Sequence, residues 1–496
     1  MSKERVRFAP SPTGALHIGG LRTALFNYLY TKNKKGTFIL RLEDTDRKRF
    51  VKGSENYIDN ALDWLGINPN EGPVVGGKFG PYRQSERIEI YQEKIEELLR
   101  SKKAYYAFDT NESLAKLRSY KESEGKVFKY DYTTRGSLDN SLSMGEEELK
   151  VRIEKDPFVV RLRVDPGETN TKDLLRGDVK VNNSVLDDKV LIKADGFPTY
   201  HFANVVDDYL MEITTVIRGE EWLPSLAIHN LIYDAFEWKK PFFIHLPLIL
   251  KTKGKGKLSK RDGLVGNFPV YPLVWNDVPG FKELGFLNSG LANYLAMLGW
   301  NSGLEKEIYD LSELIKLFSL NGLQKGGAKF DFEKAKWVNQ QHISKLDFSE
   351  FNAVFYNYTS NLKDKYGSRS EEVYNLIRER LKTGNDLEKE TSFFIHPPLE
   401  YNNKVLNKLS KNNISELLDE MEMLIKKRGL FNFKENLSRI AEKRKMNFGV
   451  IMQTIRLSII GNLSGPDIIK TCHILGKSLT LDRVVNLKKF IKNNSL

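Results

Sequence analysis

The sequence predicts an α/β domain built on a parallel sheet, interrupted by an α+β insertion and followed by mostly helical C-terminal domains. The first thirty-odd residues read as a short buried strand around Val6 and Phe8, a turn rich in glycine and proline, and an apolar helix. This order is typical of parallel-sheet domains. From Asp347 to the C-terminus the apolar residues recur at helical spacing. A chain of 496 residues is also too long for one ordinary hydrophobic core.

The turn that connects the first strand to the first helix, Pro10 to Gly20, predicts a site for phosphate. A turn at the start of a helix points free N–H groups and the positive end of the helix dipole at whatever binds there. Gly14, Gly19 and Gly20 allow backbone and ligand to approach closely, and His17 adds an imidazole donor beside them.

Residues 37–43 form a predicted second strand, which ends in the acidic stretch from Glu43 to Asp46. Ligands of parallel sheets gather at the carboxyl ends of the strands, where the Glu43 carboxylate is placed to meet a substrate amine. The alternative is an ordinary polar loop whose charge is neutralised by the basic residues 47–49 that follow.

The sheet pattern is interrupted between residues 104 and 200, where charged helical stretches alternate with strand-like pieces. This stretch predicts an insertion between two halves of the sheet domain. The earlier pattern returns with a strand from Ile213 to Ile217, an apolar helix from Leu226 to Phe236 and a buried strand from Phe242 to Leu250.

The last predicted strand runs into a basic loop with spaced glycines, Lys251 to Arg261. Such a loop is suited to hold charge that develops on phosphates during a reaction. An exposed lysine and glycine loop without a role is the alternative, but the position at the end of a sheet strand favours the first interpretation.

The net charge of +12 is concentrated at the C-terminus, because residues 404–496 contain 18 Lys and Arg against 8 Asp and Glu, a difference of +10. A nucleic-acid surface and a solvated helical face both fit this pattern. The single cysteine, Cys472, excludes an internal disulfide and a multi-cysteine zinc site. We expect a cytoplasmic protein without membrane span or leader peptide, because no apolar run reaches ~20 residues and the first strand follows Met1 closely.

Two segments, Pro10–Gly20 and Lys257–Arg261, resemble the two signature motifs of class I aminoacyl-tRNA synthetases. Four segments between them, Leu40–Asp46, Gly80–Glu86, Pro198–Asp208 and Val216–Trp222, resemble the bacterial glutamyl-tRNA synthetase family. The resemblance is dense over the first half of the chain and loose over the second.

The resemblance implies an enzyme that activates glutamate with ATP to glutamyl-adenylate and transfers glutamate to the 3′-terminal adenosine of tRNA(Glu). It also implies a division of the chain. The expected domains are a Rossmann-like catalytic domain (1–103 and 201–255), an inserted acceptor-stem-binding domain (104–200), a signature-loop and stem-contact domain (256–336) and two helical anticodon-binding domains (337–402 and 403–496).

The resemblance further implies the site residues. Arginine suits the substrate side-chain carboxylate because its fork of donors matches a carboxylate, and lysine suits the departing pyrophosphate. The expected catalytic residues are His17, Gly19, Gly20, Lys257 and Lys260. The expected glutamate contacts are Arg7, Ser11, Glu43, Tyr200, Asn204 and Arg218. The expected ATP contacts are Gly14, His17, Gly20, Trp222, Leu258, Ser259 and Lys260. Arg380 is the expected anticodon contact.

The expected ligands are ATP, Mg²⁺ with the ATP, glutamate and tRNA(Glu), bound by a monomer. No structural zinc is expected, because Tyr105 to Phe108 stands where some relatives carry a zinc knuckle and no cysteine lies nearby. Gly20 departs from the second histidine that many class I synthetases have at the end of this motif, a change that the glutamyl branch tolerates.

Two alternatives stay open from the sequence: a synthetase that also charges tRNA(Gln), and a catalytically silent tRNA-binding paralogue. His17, Lys260, Arg7 and Glu43 argue against the silent protein because the charges needed for chemistry are present. Within the enzyme class the runner-up is a synthetase that glutamylates a modified base on another tRNA, and two further functions are less favoured. The helical C-terminal half argues against the modified-base enzyme, which lacks an anticodon-binding part, and against glutaminyl-tRNA synthetase, whose C-terminal half consists of β-barrels. The pair Arg7 and Arg218 argues against a nucleotidyltransferase of related fold that activates another substrate.

Overall fold

A computed structural model describes residues 3–410 and 413–494, which divide into two compact units. The first unit comprises Met1–Phe281 and Leu291–Phe332, and the second comprises Lys282–Gly290 and Glu333–Leu496. Among the described residues, none of the helices has the length and apolar character needed to cross a membrane.

The first unit contains the described β-strands, nine complete α-helices and most of a tenth, the helix Asn288–Met297, which begins in the second unit. The strands are β1 (Arg5–Phe8), β2 (Thr37–Leu40), β3 (Ala104–Ala107), β4 (Val159–Leu162), β5 (Glu168–Asp173), β6 (Gly177–Asn182), β7 (Val190–Ile192), β8 (Thr215–Gly219), β9 (Phe242–Leu246), β10 (Ile249–Leu250) and β11 (Ala328–Lys329). The helices that begin before residue 332 are α1 (Ile18–Asn33), α2 (Ser54–Leu65), α3 (Ile88–Arg100), α4 (Asn111–Ser123), α5 (Glu146–Lys155), α6 (Tyr200–Leu210), α7 (Leu226–Ala235), α8 (Lys260–Gly266), α9 (Asn288–Met297) and α10 (Leu311–Leu317).

The predicted strand–turn–helix at the N-terminus is confirmed. Strand β1 pairs in parallel with β2, and α1 connects them. The helix packs an apolar face into the core, with Leu21, Leu25 and Leu29 fully buried. Strand β1 also lies beside the start of β8, where Thr214 N–H donates to the Arg5 carbonyl at 2.9 Å. The carboxyl ends of β1, β2 and β8 therefore lie near one another, as in other parallel α/β sheets.

The main sheet has the strand order β6-β5-β9-β8. Strand β9 is parallel to β8 and to β5, whereas β5 and β6 are antiparallel. Because β5 and β6 come from residues 168–182, part of the stretch 104–200 belongs to the same sheet as the strands that follow it. The other strands of that stretch form a separate antiparallel sheet, β3-β4-β7.

The predicted strand from Phe242 to Leu250 is wrong in its continuity. The chain forms β9, leaves the sheet at Pro247, and then forms β10, which pairs in parallel with β11 instead. Proline has no N–H for a ladder and is disfavoured inside a central strand. The Pro247 carbonyl accepts a hydrogen bond from the Arg22 guanidinium, which fixes the break in place.

The second unit confirms the predicted helical C-terminal half, since residues 333–410 and 413–494 contain α-helices, short 3₁₀ turns and no β-strand. Its helices are α11 (Phe332–Ile343), α12 (Phe348–Val354), α13 (Tyr356–Tyr366), α14 (Ser370–Ile377), α15 (Asp386–Ile395), α16 (Asn403–Ser410), α17 (Ile414–Arg428), α18 (Phe433–Lys443), α19 (Phe448–Ile460) and α20 (Ile468–Asn493).

One hydrophobic core serves the whole second unit. It joins residues such as Phe351 and Phe394, before residue 403, to residues such as Leu406 and Leu487, after it, all of them fully buried. Cys472 lies in this core as a free thiol, and burial raises its pKa to about 12. Removing residues 403–496 would therefore expose the core of the remaining helices.

Candidate active site

A cavity of about 570 Å³ opens at the carboxyl ends of β1, β2 and β8, beside the N-terminus of α1. The residues predicted from the sequence that line it are Arg7, Ser11, His17, Gly19, Gly20, Glu43, Tyr200, Asn204, Arg218, Trp222, Lys257, Leu258, Ser259 and Lys260. Gly14 does not line the cavity, but a Cβ on it would lie 3.8 Å from Lys260 Nζ. Arg380 belongs to the second unit, where its Nε donates to Glu390 at 2.6 Å.

At one end of the cavity, His17 caps helix α1. Its Nδ1 accepts a hydrogen bond from Gly19 N–H at 3.1 Å, so that the neutral ring carries its hydrogen on Nε2. Burial, followed by the charges of Lys257 and Lys260, lowers the pKa of His17 to about 4. The Nε2 atom is buried and has no hydrogen-bond partner among residues 3–410 and 413–494. An unpaired donor at a helix N-terminus fits an anionic ligand.

The two predicted lysines stand in different surroundings. Lys257 Nζ pairs with Glu221 at 2.7 Å, whereas Lys260 takes part in no ion pair among the described residues. Lys260 is the first residue of α8, and a capping box between Ser259 and Asp262 fixes the start of that helix. Of the two lysines that line the cavity, Lys260 is therefore the one whose charge is left for a ligand.

At the other end of the cavity, buried arginines and carboxylates form a network. Arg7 Nε and Nη2 donate to the Asp208 carboxylate at 2.8 and 3.1 Å, and Arg41 donates to Asp208 at 2.8 Å and to Glu43 at 3.2 Å. Each of these four side chains is at most 6% exposed. Asp208 thus compensates much of the charge of Arg7 before any substrate binds, because a carboxylate at this distance is a strong partner in a buried site.

Glu43 is the carboxylate of this network that faces the cavity. Its Oε1 accepts from Asn204 Nδ2 at 2.8 Å and from Arg41. Burial raises the pKa of Glu43, and the guanidinium groups of Arg41 and Arg7 oppose that shift. An additional cation, such as an α-ammonium group, would favour the ionised form of Glu43 further.

Arg218 differs from Arg7 because its partners are neutral. Its Nε donates to His245 Nε2 at 3.0 Å, and its Nη1 lies 3.2 Å from the Tyr200 hydroxyl and 3.1 Å from His229 Nδ1. Arg218 is 5% exposed, and no carboxylate among the described residues forms an ion pair with it. A buried guanidinium without a counter-ion is a strong site for a carboxylate ligand.

Sequence reasoning missed five residues of the site: Arg22, Asp208, Glu221, His229 and His245. Arg22 lines the cavity and donates to the carbonyls of Leu298 and Pro247. Some of their partners are far away in the sequence, 276 residues for Arg22 and 201 residues for Asp208, so no local pattern indicates these contacts. The usable signal is polar residues inside apolar elements, as with His229 in α7 and His245 in β9.

No group of three or more His, Cys, Asp or Glu side chains that could hold a metal ion occurs within residues 3–410 and 413–494. The segment from Tyr105 to Phe108 is mostly strand β3, and the Tyr105 hydroxyl donates to Asp188 at 2.6 Å.

The low pKa of His17 makes stability depend on pH. Because this pKa is about 4 in the folded protein against an ordinary 6.5, the unfolded chain binds a proton that the folded chain does not in this interval, and stability falls as the pH falls. Replacing His17 with Gln is expected to reduce the slope of unfolding free energy against pH by at most about 1.4 kcal/mol per pH unit, measured by urea unfolding from about pH 7 to about pH 5. Equal slopes in wild type and variant would contradict the buried neutral histidine.

A histidine at a helix N-terminus and a lysine loop share one cavity at the carboxyl edge of a parallel sheet, which is an arrangement that fits a class I aminoacyl-tRNA synthetase. Residues 3–337 match the catalytic domain of class I tRNA synthetases (E and Q), and residues 348–487 match an anticodon-binding domain. The chain belongs to the bacterial glutamate–tRNA ligase family.

The relatives support this assignment over nearly the full length. The glutamate–tRNA ligase of Christiangramia forsetii is 47% identical, over 97% of this chain and 98% of its own. The glutamate–tRNA ligase of Flavobacterium psychrophilum is 46% identical, over 98% of this chain and 99% of its own length. Among solved structures, the glutamate tRNA ligase of Elizabethkingia meningosepticum in complex with its amino acid superposes with a TM-score of 0.92 at 44% identity, covering 98% of this chain and 99% of that one.

Proposed function

We propose that the cavity of the first unit ligates glutamate to tRNA(Glu) in two steps. The α-carboxylate of glutamate attacks the α-phosphorus of ATP, and the bond to the β-phosphate breaks with release of pyrophosphate. A hydroxyl of the terminal ribose of the tRNA then attacks the glutamyl carbonyl, and AMP leaves. The observation that carries the proposal is that His17 and Lys260 line the same cavity as Arg218 and Glu43.

In this proposal the amino acid occupies the end of the cavity that carries the buried charges. Arg218 and Arg7 hold the side-chain carboxylate of glutamate, and Glu43 holds the α-ammonium group. Ser11, Tyr200 and Asn204 line the same end and supply further hydrogen bonds. Arg218 provides most of the attraction, because Arg7 already pairs with Asp208.

ATP occupies the other end and enters with Mg²⁺ on its phosphates. The Nε2–H of His17 and the first N–H groups of α1 face the phosphates, next to Gly19 and Gly20. Lys260, assisted by Lys257, neutralises the charge of the departing pyrophosphate. Trp222, Leu258 and Ser259 line the side of the nucleotide, and Gly14 leaves room beside Lys260. The protein contributes positioning and electrostatics and forms no covalent intermediate in this scheme.

The second unit binds the tRNA, and Arg380 is our proposed anticodon contact. A groove of about 270 Å³ between α17 and α18 is lined by Lys427, Arg428, Arg439 and Lys443. Among the described residues, Lys427 and Arg439 have no ion-pair partner. These free cations are suited to phosphate contacts.

Replacing both Lys427 and Arg439 with Gln is expected to weaken tRNA(Glu) binding and to reduce the magnitude of the slope of log K against log[salt] by about 1 to 2. The reason is that fewer counterions are released on binding for each phosphate contact that is lost. The measurement is tRNA affinity over a range of salt concentrations. The control is Lys426→Gln, which should change the slope less because Glu422 already pairs with Lys426 at 2.6 Å. An unchanged slope in the double variant would mean that this groove is only a solvated surface.

The proposed function is tested by aminoacylation with purified tRNAs for glutamate and for glutamine, each offered glutamate and glutamine. We expect glutamate on tRNA(Glu) with release of AMP and pyrophosphate. Charging of tRNA(Gln) with glutamate as well would identify the non-discriminating alternative. No charging of any pair by a folded protein would favour the silent tRNA-binding paralogue. A cytoplasmic location and a monomeric state complete the proposal.

A further inference from the structure

Arg218 lies in the middle of a buried chain of hydrogen bonds. The chain runs from Asp173 through His245 to Arg218, and on through His229 to His201. The successive contacts are 2.8 Å between Asp173 Oδ2 and His245 Nδ1, 3.0 Å between Arg218 Nε and His245 Nε2, 3.1 Å between Arg218 Nη1 and His229 Nδ1, and 3.1 Å between His229 Nε2 and His201 Nδ1. Asp173, His229 and His245 are at most 1% exposed.

The direction of each hydrogen bond follows from the guanidinium. Arginine has donors and no acceptor, so each histidine nitrogen that faces Arg218 must accept. The proton of His245 is then on Nδ1, where it donates to Asp173, and the proton of His229 is on Nε2, where it donates to His201. Both rings are neutral in this arrangement. Burial is the main cause that lowers the pKa of each of them, which agrees with neutral rings.

Asp173 is fixed by its own partners. Its Oδ1 accepts from the backbone N–H groups of Leu175 and Arg176 at 2.8 and 2.6 Å, and its Oδ2 accepts from the backbone and the ring of His245 at 2.9 and 2.8 Å. Since all four groups donate, Asp173 holds His245 in the tautomer that Arg218 requires. Asp173 is the last residue of strand β5, so this strand is connected to Arg218 through His245.

We propose that Asp173, His245 and His229 are positioning residues that set the recognition of the substrate carboxylate. They orient the Arg218 guanidinium through neutral acceptors, so that its hydrogen bonds are satisfied while its charge is left for the substrate. Arg7 shows the contrast, because Asp208 orients it and also compensates its charge. This inference rests on the proposed role of Arg218 in binding glutamate.

The two histidines face Arg218 with opposite ring nitrogens, which allows a crossed test. The amide of asparagine reaches the place of Nδ1, and the amide of glutamine reaches the place of Nε2. Glutamine at position 245 therefore keeps an acceptor for Arg218 and asparagine does not. At position 229 asparagine keeps the acceptor and glutamine does not.

The experiment measures the KM for glutamate in aminoacylation of tRNA(Glu), with the KM for ATP and thermal unfolding of each variant as controls. We expect the KM of His245→Asn to exceed that of His245→Gln about tenfold, and the KM of His229→Gln to exceed that of His229→Asn by a similar factor, since a hydrogen bond to a charged group is lost in the first of each pair. The KM for ATP should not follow this pattern.

The same ranking of asparagine and glutamine at both positions, or equal values within each pair, would overturn the proposal, because a role in packing alone depends on side-chain size and not on which nitrogen is replaced. If a variant at position 245 does not fold, the pair at position 229 decides, because there the smaller asparagine is expected to be the better variant. If a variant at position 229 does not fold, His245→Leu is added to the pair at position 245: it has a side chain close to asparagine and glutamine in size and offers no acceptor, so its KM should rise as that of His245→Asn does. Arg218→Gln distinguishes the role of Arg218 in binding glutamate from the role of the three residues that position it. If it leaves the KM for glutamate unchanged, the proposed role of Arg218 fails, whereas a raised KM without the crossed pattern rejects only the positioning residues.

Discussion

Replacing Lys260 with alanine is expected to slow the formation of glutamyl-adenylate about 100-fold or more, which is the effect of removing one group that stabilises developing charge. Lys260 takes part in no ion pair among the described residues and lines the cavity near Gly14. The measurement is exchange of labelled pyrophosphate into ATP with glutamate and tRNA(Glu) present, together with the affinity for tRNA(Glu).

The control for this prediction is Lys239→Ala, which removes an exposed lysine that does not line the cavity. It should exchange pyrophosphate at the wild-type rate. Lys260→Ala should bind tRNA nearly as well as wild type. A parallel collapse of tRNA affinity and exchange rate in Lys260→Ala would contradict the role on pyrophosphate and would favour a role of this loop in tRNA binding.

Replacing Arg218 with glutamine is expected to lower kcat/KM for glutamate about 100- to 1,000-fold. The reason is that losing the guanidinium of a buried charge pair leaves the substrate carboxylate buried without a partner. The buried guanidinium meets only neutral acceptors in the described chain, so the substrate carboxylate is its proposed counter-ion. The measurement is steady-state aminoacylation over a range of glutamate concentrations. The ratio of glutamate to glutamine use should fall as well.

Arg5→Gln is the matched control for Arg218→Gln, because Arg5 is a partly buried arginine of the same unit that pairs with Glu71 at 2.8 Å and does not line the cavity. It should leave the KM for glutamate near the wild-type value even if the protein becomes less stable. A large loss of kcat/KM in Arg5→Gln and a small one in Arg218→Gln would contradict the assignment of the carboxylate site.

The parts of the site that the sequence predicts are those whose geometry is local. The turn from Pro10 to Gly20 and the loop that contains Lys257 and Lys260 carry their chemistry within about ten residues, so their composition is enough to indicate phosphate binding. The meeting of both segments at one cavity is not local, because β1 and β10, the strands that precede them, belong to different sheets.

The carboxylate partners of Arg7 and His245 could not be predicted, because they come from distant parts of the chain. Asp208 lies 201 residues from Arg7, and Asp173 lies 72 residues from His245. Their pairing is decided by packing of the sheet and not by any local periodicity. Pro247 is a local signal for the break between β9 and β10, but the continuous apolar pattern around it favours one long strand.

All of these assignments require that one cavity holds the nucleotide and the amino acid together. A crystal structure of the protein with a non-hydrolysable glutamyl-adenylate analogue would show this. We expect the glutamyl carboxylate on Arg218, its ammonium group at Glu43, and the adenylate beside His17 and Lys260. An analogue bound away from Arg218, or density that leaves His17 and Lys260 on separate surfaces with no shared ligand, would contradict it.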